Sequence, residues 1–149
     1  MVLMNFEQLY SDFIMYHFKN NSHRGRIEDC TYTVEGSNTS CGDSITLYLI
    51  IGRGVVDTIG FEGEGCAISQ ASAAVMTEIL EGKSLEEAAA TIVNFEKMIR
   101  GEDYDGSKIG DAAFFEGLKE HPMRAKCVIL PWKTAAKVLV SKQQKKTGA

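Results

Sequence analysis

Residues 44–61 constrain this chain more than any other stretch. In Ser-Ile-Thr-Leu-Tyr-Leu-Ile-Ile (44–51), Ile45, Leu47, Leu49 and Ile51 fall on one face of an extended strand, with Thr46 and Tyr48 on the other. Gly52-Arg53-Gly54 reads as a hairpin turn, and Val55–Phe61 as the returning strand. Antiparallel pairing then makes whatever precedes the first strand and whatever follows the second emerge together, opposite the turn. Those flanking residues are Cys41 and Cys66, which the hairpin predicts to be neighbours although they are far apart in the chain. A third strand is expected at residues 27–34, with the Gly-, Asn-, Ser- and Asp-rich residues 36–43 as a loop.

After Cys66 the period changes from two to that of a helix. Residues 67–80 are rich in Ala and Ser, with Ile68, Val75, Met76 and Ile79 as larger apolar members, and Gly82 is a natural stop. Ser84 and Glu87 have capping-box spacing for a second helix that carries Leu85, Ala88, Ala89, Ile92 and Ile99 and ends at Gly101. A further helix is expected over residues 3–19, where Phe6, Leu9, Tyr10, Phe13 and His17 form a stripe. Residues 108–119 predict a short helix before Pro122. The last helix is expected from near Cys127 to about Ser141, with Pro131 in its first turn, where a missing N–H costs nothing. Strands followed by helices indicate an α+β fold: a three-stranded antiparallel sheet with helices packed on it. Residues 1–142 read as a single domain and residues 143–149 as a basic, disordered tail.

With 149 residues, 44% hydrophobic, the chain can bury a sizeable core. Its formal net charge of −4 argues against a nucleic-acid partner, which needs a concentrated basic surface. No apolar run approaches bilayer length, and the opening residues lack a cationic leader, so neither a membrane nor a secretory route is expected. A cytoplasmic location follows, and there the four cysteines are more apt for metal or thiol chemistry than for disulfides.

Cys41, Cys66 and Cys127 all sit at element boundaries, where rigid elements present functional groups. Asp43 follows Cys41 across Gly42, whose freedom to adopt positive φ lets a thiolate and a carboxylate turn to one point. Cys41, Asp43, Cys66 and Cys127 would make a three-sulfur, one-oxygen site of a kind that zinc accepts, and iron–sulfur clusters also require thiolates. Four anionic ligands leave roughly two negative charges in excess on a divalent ion. Arg124 and Lys126, beside Cys127, are the candidate supporting cations, and the helix that follows Cys66 acts in the same direction. Each residue also has a plainer reading. Cys66 suits a tight turn, Asp43 is a common turn former, and Cys127 precedes the apolar Val128, Ile129 and Leu130. Cys30, in an expected strand, reads as a structural thiol, and residues 23–26 as a solvated turn. His17 reads as a helix-end or partly buried histidine, His23 and His121 as exposed ones. A cysteine hydrolase built on Cys66 lacks a convincing histidine base.

Three segments carry a resemblance: NTSCGDSITLYL, FEGEGCAISQASAAVMTEILEGKS and MRAKCVILPWKTAAKVL. Together they resemble the SufU/IscU (NifU N-terminal-like) family of iron–sulfur cluster assembly proteins, over nearly the whole chain. The resemblance implies the same α+β fold and a site made by Cys41, Asp43, Cys66 and Cys127 that holds zinc or a nascent 2Fe–2S cluster. It implies a pyridoxal-phosphate-dependent cysteine desulfurase as partner, with apo iron–sulfur proteins or other assembly components downstream. The chain would then be a sulfur acceptor or scaffold rather than a stand-alone enzyme, with Cys41 favoured as the sulfur acceptor. Lys126 stands where IscU-like scaffolds carry histidine, and the stretch between Cys66 and Cys127 is long; both features favour the SufU-like branch. Thr39 and Ser40 depart from the family, many of whose members carry a proline in this loop.

Overall fold

The computed structural model of the chain describes residues 6–39 and 42–147. In chain order it contains α1 (Phe6–Lys19), β1 (Tyr32–Asn38), β2 (Asp43–Gly52), β3 (Val55–Glu64), α2 (Ala67–Leu80) and α3 (Leu85–Ile99). Two 3-10 segments follow, Gly106–Lys108 and Gly110–Glu120, and then α4 (Pro122–Thr147). The fold is the expected α+β arrangement, with one antiparallel sheet of three strands in the order β1-β2-β3.

The hairpin forms as the alternation predicts. Arg53 (φ 56°) and Gly54 (φ 73°) both take positive φ, the backbone of a type I′ turn whose twist matches that of the flanking strands. Ile45, Leu47 and Leu49 point into the core, where Val56, Ile59 and Phe61 of β3 join them. Fully burying each of these side chains is worth about 1.5–3 kcal/mol. The register shifts between Ile50 and Ile51, and Ile51 is left half-buried instead of continuing the inward face. β1 begins later than the sequence suggests and runs through residues expected to be loop, because its ladder from Tyr32↔Leu49 to Asn38↔Asp43 satisfies the backbone of an edge strand. Cys30 consequently lies just before the strand, half-buried, with its sulfur 3.1 Å from Thr33 Oγ1.

α4 lies against β1 and β2, and α2 against β3. The core between them is aromatic: fully buried Trp132 stacks on Phe95 of α3 with ring centroids 3.9 Å apart. Ser84 caps α3 as expected, its Oγ accepting the Glu87 N–H at 3.1 Å. On α1, Phe13 is half-buried and stacks on Phe114, while His17 is buried; the side chains of Phe6, Leu9 and Tyr10 lie outside the described part.

Two helices differ from expectation. The region expected as a helix over 108–119 is 3-10 structure, interrupted at Ile109 and by Gly110 at φ 52°. Asp105 holds its entry by accepting from the Ser107 N–H and hydroxyl, bonds that keep its carboxyl below the usual pKa. α4 starts at Pro122, not near Pro131, and extends past Ser141 to Thr147, so the backbone of the basic stretch is helical that far. A proline inside a helix costs about 3 kcal/mol. Here it is tolerated because every residue from Cys127 to Trp132 is buried, and packing outweighs the lost hydrogen bond. Among the described residues, no helix is long and apolar enough to cross a membrane.

Helix and sheet approach closely at Gly36, where a Cβ would fall 2.0 Å from Thr134 Oγ1. Gly36→Ala should destabilise the fold by about 1–3 kcal/mol through overpacking. Adding Thr134→Ala should recover part of that loss, measured as a non-additive coupling in chemical denaturation; strict additivity would contradict the close approach.

Candidate metal centre

The open end of the hairpin carries the site. Gly42 takes φ +70°, and Asp43 opens β2 immediately after it. β2 pairs with β3 through Ser44↔Glu64, which brings residues 65 and 66 alongside Asp43. Asp43 is only 2% exposed. Its Oδ1 accepts the Cys66 backbone N–H at 2.9 Å, and its Oδ2 lies 3.8 Å from the Cys66 sulfur. The bidentate carboxylate thus divides its work: one oxygen ties strand to helix, and the other faces the thiol.

Cys66 is the N-cap of α2, with φ −72° and ψ 164°, and its side chain makes no capping hydrogen bond. A serine or aspartate there would cap the helix through its own oxygen. The thiol is therefore left for other chemistry, at the positive end of the helix. Ser69 completes the first turn: its hydroxyl donates to the Cys66 carbonyl at 3.0 Å and lies 3.9 Å from the Cys66 sulfur. Cys127 arrives from α4, 5% exposed. Ligand atoms of Asp43, Cys66 and Cys127 all lie within 4.8 Å of one another.

Two thiols and a carboxylate at that spacing fit a tetrahedral zinc. Zn–S distances near 2.3 Å place neighbouring ligand atoms roughly 3.8 Å apart, so a small contraction suffices. The hairpin predicts that Cys41 and Cys66 are neighbours, and Cys41 lies outside the described residues; Asp43, two residues after it, does meet Cys66. Arg124 and Lys126 are exposed in the first turns of α4, and neither enters an ion pair among the described residues.

The matching stretch supports one assignment. Residues 9–128 match the NifU-like N-terminal domain.

The chain belongs to that family.

Its members include IscU- and SufU-type iron–sulfur cluster assembly proteins. An iron–sulfur cluster assembly scaffold protein IscU from Thermotoga maritima is 44% identical over 136 residues, 91% of this chain and 96% of that one. A zinc-dependent sulfurtransferase SufU from Bacillus subtilis is 39% identical over 134 residues, covering 89% and 90%. A crystal structure of a putative scaffold protein for the SUF system from Fervidobacterium islandicum superposes with a TM-score of 0.85 at 42% identity, over 89% of this chain and 98% of that one. This NifU-like domain is thus an iron–sulfur cluster assembly protein of the scaffold/SufU family.

Other parts of the site were not apparent from sequence. The 23–26 segment is a turn whose arginines are exposed, as expected, but it is also tied to the body: Arg24 lies over the rings of Phe18 and Phe61, 5.6 and 5.7 Å from their centroids, and donates to Gln70 Oε1 at 3.0 Å. His23, expected to be exposed, pairs with Glu81 at 2.7 Å. Periodicity could not show these contacts because they join segments remote in sequence. At the other end of the glycine-rich turn, Tyr48 donates to Glu62 at 2.5 Å, and that bond, helped by burial, raises the phenol's pKa. The spacing Cys66-x-x-Ser69 is the one local signal that marks a residue beside the thiol.

Gly65 is the most constrained position. Its φ is +145°, and a Cβ there would lie 2.1 Å from Asp43 Oδ1 and 3.0 Å from the Asp43 Cα. Gly65→Ala should cost about 1–3 kcal/mol in backbone strain and displace the carboxylate from the Cys66 N–H. The check is a thermal melt beside a zinc-binding titration; wild-type values in both would show that the turn is slack.

Proposed function

We propose that this chain holds a zinc ion through Cys41, Asp43, Cys66 and Cys127 and accepts persulfide sulfur from a cysteine desulfurase in the cytoplasm. The observation that carries this reading is the convergence of Asp43, Cys66 and Cys127 from three separate elements, with Cys41 two residues before Asp43. Likeness to a relative named a zinc-dependent sulfurtransferase supports it, as does Lys126 in the position of the histidine of IscU-like scaffolds.

Zinc, when bound, keeps the thiols as thiolates and shields them from oxidation. The residues do the rest. Asp43 would be the one hard oxygen donor in a sulfur set, and so the ligand most easily given up to a partner's group. The Cys41 thiolate attacks the terminal sulfur of the desulfurase persulfide, forming one S–S bond as the donor's S–S bond breaks and the donor cysteine leaves as a thiolate. Arg124 and Lys126 offset the negative charge of the ligand set. Apo iron–sulfur proteins or other assembly components receive the sulfur downstream. A second reading, a scaffold that assembles and hands on a 2Fe–2S cluster, is favoured by the likeness to the Thermotoga maritima protein. In that reading Asp43 keeps the cluster transferable, since oxygen suits the cluster iron less well than thiolate.

Metal analysis of anaerobically purified protein separates the two. Stoichiometric zinc, with desulfurase turnover rising on addition of the protein, is the expected result. A visible chromophore that passes to an apo-ferredoxin would instead establish the scaffold. Cys41→Ala should abolish sulfur acceptance, and Cys30→Ala should leave it intact. Equal damage from Cys30→Ala would refute the ligand set.

A further inference from the structure

We propose that Ser72 and Trp132 are positioning residues for the metal centre, fixing the Cys127 end of α4 against the helix that Cys66 begins. The inference rests on the metal-centre reading above and adds a device outside the ligand set.

Cys66 and Cys127 sit on different helices, so their separation depends on how α2 and α4 are placed along each other. The buried stretch of α2 from Ser69 to Thr77 consists mostly of Ala, Ser and Thr. Small side chains make shallow ridges, which resist sliding weakly. Something directional is needed, and Ser72 supplies it. Its hydroxyl is fully buried, accepts the Trp132 Nε1–H at 2.9 Å and lies 2.5 Å from the Val128 carbonyl oxygen. The indole nitrogen can only donate, so the serine oxygen accepts from it and its own proton goes to the carbonyl. Only one orientation satisfies all three groups.

Val128 directly follows Cys127, so this bond grips the α4 backbone beside the ligand. Trp132 cannot drift, because its ring is stacked on Phe95 of α3 at an interplanar angle of 12°. The grip falls where the helix is weakest: Pro131 has no N–H to give to the carbonyl of Cys127, four residues earlier. Two other buried hydroxyls behave differently, although that of Thr91 also reaches outside its helix, to the Lys108 carbonyl at 2.9 Å. Thr77 donates to Ala74 and Thr134 to Leu130, each within its own helix. Ser72 directs both of its bonds to α4. The buried Cys127 is thereby the fixed ligand, and Cys66, the most accessible of the three, keeps its freedom at the helix start.

The test uses the full chain loaded with zinc, in wild type, Ser72→Ala, Trp132→Phe and Thr77→Val. Trp132→Phe keeps an aromatic ring for Phe95 and removes the donor together with part of the indole's volume, so it serves if Ser72→Ala folds poorly. Thr77→Val removes a buried hydroxyl from the same helix that has no link to α4. Zinc transfer to a chromophoric chelator gives the release rate, and cobalt substitution gives the thiolate-to-metal charge-transfer band. Release should be about tenfold faster in Ser72→Ala and Trp132→Phe, the range seen when groups that orient metal ligands are removed. Their cobalt band should shift or weaken, while Thr77→Val lowers the melting temperature and leaves release and spectrum as in wild type. Lower melting temperatures with wild-type release and an unchanged band would reduce Ser72 and Trp132 to ordinary core residues and overturn the proposal. If the wild type binds neither zinc nor cobalt, the metal-centre reading fails first, and this role with it.

Discussion

The hydrogen bond from the Cys66 N–H to the Asp43 carboxylate organises the functional end of this protein. A buried carboxylate is expensive unless its oxygens are engaged, and this one is engaged by the backbone where sheet becomes helix. The bond joins the first residue of β2 to the residue that starts α2. Gly42 turns the chain into it, and Gly65 leaves out the side chain that would block it. With the helix start tied by an aspartate from another element, the N-cap position is free to hold a thiol. Asp43 satisfies the N–H of Cys66 itself, while no side chain of the N-cap residue bonds the N–H groups of the first turn.

The second half of the centre is built by a different force. Cys127 comes from a helix whose first turns are exposed at Met123, Arg124 and Lys126 and whose next residues are wholly buried. Trp132 of this helix stacks on Phe95 of α3, which in turn meets Phe115 edge-on. Burial there is large enough to carry a proline through the helix interior and to bring α4 so close to β1 that only glycine fits at residue 36. The centre therefore has a rigid, apolar side and an open side. Metal retention asks for the first, and exchange with a partner asks for the second.

Much of this was legible in the chain itself. Period-two alternation in residues 44–51 and the turn at Arg53-Gly54 are local signals, since strand faces and turn conformations depend on neighbours in sequence. Antiparallel geometry then turned that local information into a prediction that Cys41 and Cys66 are neighbours; Cys41 lies outside the described residues, and Asp43, at the start of the same strand, meets Cys66. Local reasoning failed where packing overruled propensity. β1 incorporates Gly36, Ser37 and Asn38, residues that by themselves favour turns, because the β2 ladder and the α4 contact hold them extended. The 106–120 region takes 3-10 turns in place of a regular helix, and α4 begins a full nine residues before Pro131. His23 finds Glu81, and Arg24 finds Gln70, across gaps that no periodicity spans.

The sequence by itself determined the α+β class, the hairpin, the capping of α3 and the presence of thiols and a carboxylate at element boundaries. These follow from residue types and short spacings, which are properties of the chain. The tertiary structure decided which oxygen of Asp43 is committed to the backbone, which cysteine is buried and which accessible, and that Ser72 and Trp132 lock α4 to α2. Those outcomes depend on the separation and angle between whole elements. That placement is set by the summed packing of side chains remote in sequence, and no local pattern encodes it.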